Sequence, residues 1–256
     1  GLSIQRVTLV GLRHRLARLD MNLMDQLPLA LRLPSTGGFE SFVADGNDEA
    51  VAAVRQWVSG VGHRYLFLHG APDSGKSHLL QAACHDIVAD GATVLYLPLD
   101  RQGLAPAMLE DLEYRDAVVV DAVQAIAGDP AWECALFDLY NRLHDANRRL
   151  LVAGRVPPPM LGLGLADLTS RLSAGPAYVL RSLDDNGRAR LLDAAAEQRG
   201  LRLDPASIRY ILNRCPRDPG WLLRLLDDLD RLSLQRRRAP TVRLIGELLA
   251  ERAADD

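Results

Sequence analysis

The chain has almost no lysine: of its 30 basic side chains only Lys76 is a lysine, and the rest are arginine. Cysteine is also scarce. Cys84, Cys134 and Cys215 have neither C-x-x-C nor metal-ligand spacing, which excludes a disulfide framework and reads as reduced, mostly buried thiols of a cytoplasmic protein. No apolar run is long enough to cross a membrane. The net charge of −3 shows no global bias toward nucleic acid and leaves only local basic clusters as candidates. What is present, 48% hydrophobic and 25% charged residues over 256 positions, is ordinary globular material for one or two domains.

The lone lysine stands in "GAPDSGKSHLL", residues 70–80, where Gly70, Gly75, Lys76 and Ser77 complete the pattern G-x-x-x-x-G-K-[ST], with Asp73 and Ser74 inside it. Before it, "YLFLHG" reads as a buried strand, and after it "SHLLQAACHDIVAD" has helical spacing and stops before Gly91. In a strand, glycine loop and helix of this kind, backbone N–H groups and the helix N-terminus face phosphate oxygens. Lys76 would reach the β- and γ-phosphates as a compact ammonium, which a planar guanidinium does not imitate. Ser77 would offer its hydroxyl to Mg²⁺. The bland alternative, a glycine-bearing loop with a solvated lysine, leaves the completeness of the motif and the agreement of its flanks unexplained.

Four more β-type runs follow, "TVLYLPL", "AVVVDA", "RLLVAG" and "AYVLRSL", separated by helical stretches. They predict an α/β domain with a five-stranded parallel sheet covered on both faces. After Leu183 the β signal vanishes, and four amphipathic segments with Asp, Pro or Thr near their starts predict a small helical domain. The expected division is a poorly ordered extension over 1–23, a peptide and linker over 24–38, the α/β domain over 39–181 and the helical domain over 182–256. The first twenty residues carry Arg6, Arg13, Arg15 and Arg18 with no acid before Asp20, superficially like an amphipathic targeting peptide. The duller reading is preferred, an upstream extension of the reading frame or a tag-scarred start ahead of Met21 or Met24. "AVVVDA" ends in Asp121, where a phosphate-loop NTPase places the acid that holds Mg²⁺ through water, and Ala122 follows it. Taken alone, Asp121 also reads as a buried helix cap.

The order of phosphate loop, strand-end acid, "SRL" box and helical lid resembles the AAA+ ATPases. Within them "FESFVADGN" (39–47), "GDPAWECALFDLYNRL" (128–143) and "GLGLADLTSRL" (162–172) resemble the Hda family of DnaA-related regulators over about residues 24–254. The resemblance implies Phe42 and Val43 beside a bound ADP or ATP, with Mg²⁺ at Ser77 and Asp121. It implies that "QLPLAL" presents Gln26, Leu27, Leu29 and Leu31 to the β sliding clamp of DNA polymerase III, a short extended peptide with apolar anchors. Without the family this pattern is a linker or strand against its own core. Arg171 matches the family's arginine finger, thought to act in trans on ATP bound to DnaA, a role worth roughly 10³ to 10⁵ in rate elsewhere. Otherwise it is a surface arginine at a helix end. DnaA continues into a helix-turn-helix domain, whereas this sequence reaches Asp256 without one, so contact with DNA is expected only through the clamp. The basic "QRRRAP" at 235–240 reads as a solvated helix end.

Several positions depart from the family pattern. Ala122 replaces the acid that orients an attacking water, Ala153, Gly154 and Arg155 replace the polar residues that sense the γ-phosphate, and Gly220 stands where the lid's sensor arginine is expected, with Arg217 and Arg224 nearby. The expectation is an adaptor that retains nucleotide, ADP above all, and stimulates a partner's hydrolysis, so lowering initiation of replication. The competing reading is an autonomous AAA+ ATPase of the DnaA, helicase-loader or clamp-loader type; a small-molecule kinase lacks an arginine-rich substrate lid. Self-association is left open.

Overall fold

The computed structural model describes Gly38, Phe39 and residues 42–255. The arginine-bearing start and the peptide with Gln26, Leu27, Leu29 and Leu31 lie outside the described residues. The α/β part runs α1 (Asp48–Val58), β1 (Tyr65–His69), α2 (Lys76–Ala89), β2 (Val94–Pro98), β3 (Ala117–Asp121), α3 (Pro130–Asp145), β4 (Arg149–Gly154), α4 (Ala166–Ser173) and β5 (Ala177–Val179). The strands form one sheet in the order β2-β3-β4-β1-β5, and every pairing is parallel. Both faces of β3 and β4 are buried along their whole length, which is why their sequences are continuous apolar runs without alternation. The expected five-stranded parallel fold is therefore what forms.

The last strand is shorter than its apolar run suggests. Leu180 N–H still donates to His69 O at 2.6 Å, but the next residue, Arg181, exchanges its backbone N–H and C=O with the side-chain amide of Asn47 instead. Strand β1 has by then given way to the loop at Gly70, so β5 has no partner left to pair with.

Helix starts follow local chemistry. Asp129, Asp184, Asp204 and Asp218 each accept backbone N–H groups of the first turn, of α3, α5 (Asp185–Gln198), α6 (Pro205–Arg214) and α7 (Pro219–Arg236) respectively. Three of these caps precede a proline at the first helical position, where its missing N–H costs nothing. With α8 (Val242–Asp255) the last helices enclose their own apolar cluster, including Leu192, Ile211, Leu226, Leu229 and Ile245. A second cluster packs α1 and α2 on the sheet through Val54, Trp57, Leu79, Leu80, Val119 and Leu151. Of the cysteines only Cys84 is buried, a correction to the expectation of mostly buried thiols: Cys215 is half-buried, and Cys134 lies on the outer side of α3, beside the inward-facing Glu133.

Glu133 is the one buried acid of α3. Its carboxylate accepts N–H groups from Gly128 at 2.7 Å, Gly164 at 3.1 Å and Leu165 at 2.7 Å, so it clamps the loop that leads into α4. Burial by itself would raise its pKa, but the three backbone donors outweigh this and hold it below the usual carboxylate value. Because the folded-state pKa is depressed, the stabilisation is complete above the unfolded pKa of about 4.3 and is lost as pH falls through the lower folded value. Glu133→Ala should cost about 2–3 kcal/mol at pH 7 by removing the charged acceptor that three part-buried backbone N–H groups share. Urea unfolding should show that gap constant from pH 7 to 5 and shrinking below about pH 4; a gap that widens on acidification would contradict the clamp.

Candidate functional site

Strand β1 ends at His69 and the chain turns at once into the glycine loop. Gly70 has to be glycine here, since a Cβ would lie 2.2 Å from the backbone carbonyl oxygen of Leu180. Asp73 and Gly75 both adopt positive φ, 64° and 87°, which coils the loop over the start of α2. No side chain caps that start. In contrast to the Asp-capped helices above, α2 turns a start without a side-chain cap toward the cleft, with the positive end of the helix dipole behind it. That is a fit for an anion such as a phosphate group.

The cleft has a volume of about 420 Å³ and gathers Asp73, Gly75, Lys76, Ser77 and Asp121 with Gln81, Tyr96, Asp100, Arg101 and, from α7 and its cap, Asp218, Gly220 and Arg224. Lys76 Nζ donates to Gly70 O at 2.8 Å, Ala71 O at 2.7 Å and Ser74 Oγ at 3.1 Å. Burial lowers its pKa, partly offset by Asp121 and reinforced by Arg155. Phosphate oxygens would replace those neutral acceptors with charge-assisted ones. Asp121 is buried and accepts from Ala122 N–H at 2.8 Å and from the Tyr96 phenol at 2.7 Å. Among the described residues no group of three or more His, Cys, Asp or Glu side chains could hold a metal ion. Ser77 and Asp121 are the donors a Mg²⁺ ion would share with a bound phosphate.

The remaining expected residues fall in different places. Phe42, Val43, Ser74 and His78 line an adjacent crevice of only about 10 Å³ with Leu183, Leu191 and Pro219 of the lid side. The Phe42 and His78 rings lie 5.5 Å apart there. Gly70 sits behind the loop. Arg224 reaches the cleft from the second turn of α7, its Nη1 lying 3.4 Å from where a Cβ on Gly220 would be. Arg217 instead pairs with Asp185 at 3.8 Å. Arg155 is exposed just past β4, its N–H held by Gln124 Oε1 at 3.1 Å. Two arginines of "QRRRAP" pair within the lid, Arg236 with Glu247 and Glu251, and Arg238 with Glu247 at 4.0 Å. Sequence reading missed His78, Gln81, Tyr96, Asp100, Arg101 and Asp218, since a lone polar residue in a helix, strand or turn, or a cap before a proline, carries no motif.

Arg171 lines neither cavity. It is exposed on α4 with its guanidinium 6.0 Å above the Tyr140 ring. Tyr140 is packed edge-on against Tyr65 at 5.1 Å, and the Tyr65 hydroxyl donates to Leu172 O at 2.8 Å. Glu133 fixes the entry to α4 and Tyr65 its exit, so Arg171 is offered outward from a fixed platform.

Two family models divide the chain between them: the bacterial DnaA ATPase domain matches residues 33–178, and the Hda lid domain matches residues 185–249. The chain belongs to the DnaA ATPase family. Its helical end is a lid of the Hda kind, so it is an Hda-like, DnaA-related AAA+ protein. Domain III of the DnaA replication initiation protein from Thermotoga maritima superposes with a TM-score of 0.71 at 22% identity, covering 86% of this chain and 98% of that one. AMPPCP-bound DnaA from Aquifex aeolicus gives 0.64 at 23%, covering 78% and 67%. The RuvB Holliday junction branch migration motor of Thermotoga maritima gives 0.60 at 14%, covering 85% and 72%. At these identities the likeness establishes the fold, and it is the AAA+ fold the sequence predicted. Among the described residues no helix is long and apolar enough to cross a membrane.

His78 links loop helix and lid in this DnaA-family site. Burial lowers its pKa to about 4, with Asp218 pulling the other way. A depressed histidine contributes stability that is full above its unfolded pKa of about 6.5 and is lost as pH falls toward 4. Between pH 7 and 5 the wild type should therefore lose about 2 kcal/mol more than His78→Gln in urea unfolding. Parallel losses in the two proteins would show that His78 already carries its proton in the folded state.

Proposed function

We propose that this DnaA-family protein retains ADP in the cleft without turning over ATP, and that Arg171 acts in trans on ATP held by a DnaA molecule. The observation that carries the reading is the separation of Arg171 from the chain's own phosphate loop, together with the platform that presents it outward. An arginine fork of that kind stabilises charge on a γ-phosphoryl group it does not itself bind in the ground state.

The cleft supports holding over hydrolysis. The start of α2, which no side chain caps, and Lys76 receive the phosphates, and Arg224 brings a lid cation near the position that Gly220 leaves empty. Four carboxylates, Asp73, Asp100, Asp121 and Asp218, face three cations, Lys76, Arg101 and Arg224, an arrangement that favours the smaller charge of a diphosphate over a triphosphate. Ala122 offers no base for an attacking water. Mg²⁺, where bound, would be held between Ser77, Asp121 and the phosphates and would neutralise their charge. Ser74, Phe42 and Val43 would border the nucleoside. Binding through Gln26, Leu27, Leu29 and Leu31 to the β sliding clamp of DNA polymerase III would bring Arg171 to DnaA on DNA and so lower initiation, with DNA contacted only through the clamp.

Phosphate release from ATP-loaded DnaA, in the presence of DNA-loaded clamp, tests this. Wild type should stimulate release; Arg171→Ala should lose the stimulation by a factor of about 10³ or down to background, with melting and ADP binding unchanged. Arg171→Lys should fail nearly as badly, because a point charge cannot span two oxygens. Replacing Gln26, Leu27 and Leu29 with Ala should abolish both clamp capture and stimulation. Full stimulation by Arg171→Ala would move the finger elsewhere, Arg155 first, and no stimulation by wild type would refute the regulatory reading.

A further inference from the structure

Strands β2 and β3 run parallel with Pro98 opposite Asp121 and Tyr96 opposite Val119. Tyr96 and Asp121 are thus diagonal neighbours on one face of the sheet, within reach of an aromatic side chain. The Tyr96 hydroxyl, itself buried, donates to Asp121 Oδ2 at 2.7 Å. The other oxygen, Oδ1, takes the N–H of Ala122 at 2.8 Å. Ala122 achieves this in the left-handed region, φ 55° and ψ 41°, a conformation that an alanine adopts only when its surroundings impose it. Both carboxylate oxygens are therefore held by donors of the chain itself, and Lys76 is likewise held by loop oxygens instead of by Asp121.

We propose that Tyr96 is a positioning residue that substitutes its phenol for a metal-bound water on Asp121, so that this chain retains a nucleoside diphosphate almost independently of Mg²⁺. The inference rests on the nucleotide reading above. In a phosphate-loop site the strand-end acid makes nucleotide affinity depend on metal because it accepts hydrogen bonds from the ion's water shell. Here a short O–H···O⁻ bond inside a buried pair already occupies one oxygen, and breaking it to admit a water returns little. The affinity that remains comes from the helix N-terminus and Lys76, neither of which needs the ion.

The test is titration of the nucleotide-free full chain with a fluorescent ADP analogue, in saturating Mg²⁺ and again in EDTA. Wild-type affinities should agree within about threefold, whereas Tyr96→Phe should bind about tenfold or more tightly with Mg²⁺ than without it, the worth of one hydrogen bond to a charged group. Adding Asp121→Asn to Tyr96→Phe should erase that dependence, which a purely structural role for the phenol would not do. Wild-type affinity that itself rises tenfold with Mg²⁺ overturns the proposal even if Tyr96→Phe fails to fold. So does a Tyr96→Phe protein that folds and stays indifferent to Mg²⁺. A wild type that binds no ADP in either condition refutes the nucleotide reading along with it, so the two failures are distinct.

Discussion

The close approach of Gly70 to the Leu180 carbonyl, with the 2.6 Å bond from Leu180 N–H to His69 O, fixes the nucleotide end of the molecule. At that point β1 becomes the phosphate loop and β5 becomes the passage to the lid. Any side chain at position 70 would have to displace backbone, which cannot yield as a flexible side chain can. Asn47 then takes over the backbone of Arg181 and ties the start of α1 to the same crossing. Loop, lid entry and first helix are thus referenced to one contact, and the lid helix α7 can bring Asp218, Gly220 and Arg224 to the cleft.

Charge in the site is satisfied internally. Lys76 rests on loop oxygens, Asp121 on Tyr96 and Ala122, and His78 stays neutral because it is buried. A loop held in this way would rearrange little for an arriving phosphate group, since Lys76 would exchange one set of acceptors for a better one at a helix start that no side chain caps. Arg171 contrasts with this: the residues around it fix its backbone and leave its guanidinium exposed.

Much of this was legible in the sequence because it depends on short-range pattern. The phosphate loop is a contiguous motif, the central strands β3 and β4 are unbroken apolar runs because both faces are buried, and two of the lid helices, α6 and α7, announce themselves by Asp-Pro starts. The end of β5 was not legible, because a strand stops where its partner stops and Gly70 lies far earlier in the chain. Nor was the role of Tyr96, which reads as one more aromatic in "TVLYLPL" until the register of β2 against β3 brings it to Asp121. Choosing Arg224 over Arg217 needed the start and phase of α7, since Arg217 stands ahead of the helix against Asp185 and only Arg224 faces the cleft. The expectation of mostly buried cysteines failed on Cys134 for the same reason, a matter of which side of α3 faces the sheet.

The account stands on a chain that keeps nucleotide and does not consume it. Its most direct test is to denature the purified protein, identify the released nucleotide by chromatography, and follow phosphate release by the intact protein supplied with ATP alone. ADP as the retained species with no sustained release is the predicted result. Steady multiple turnover that vanishes in Lys76→Ala would contradict it and make the protein an ATPase in its own right.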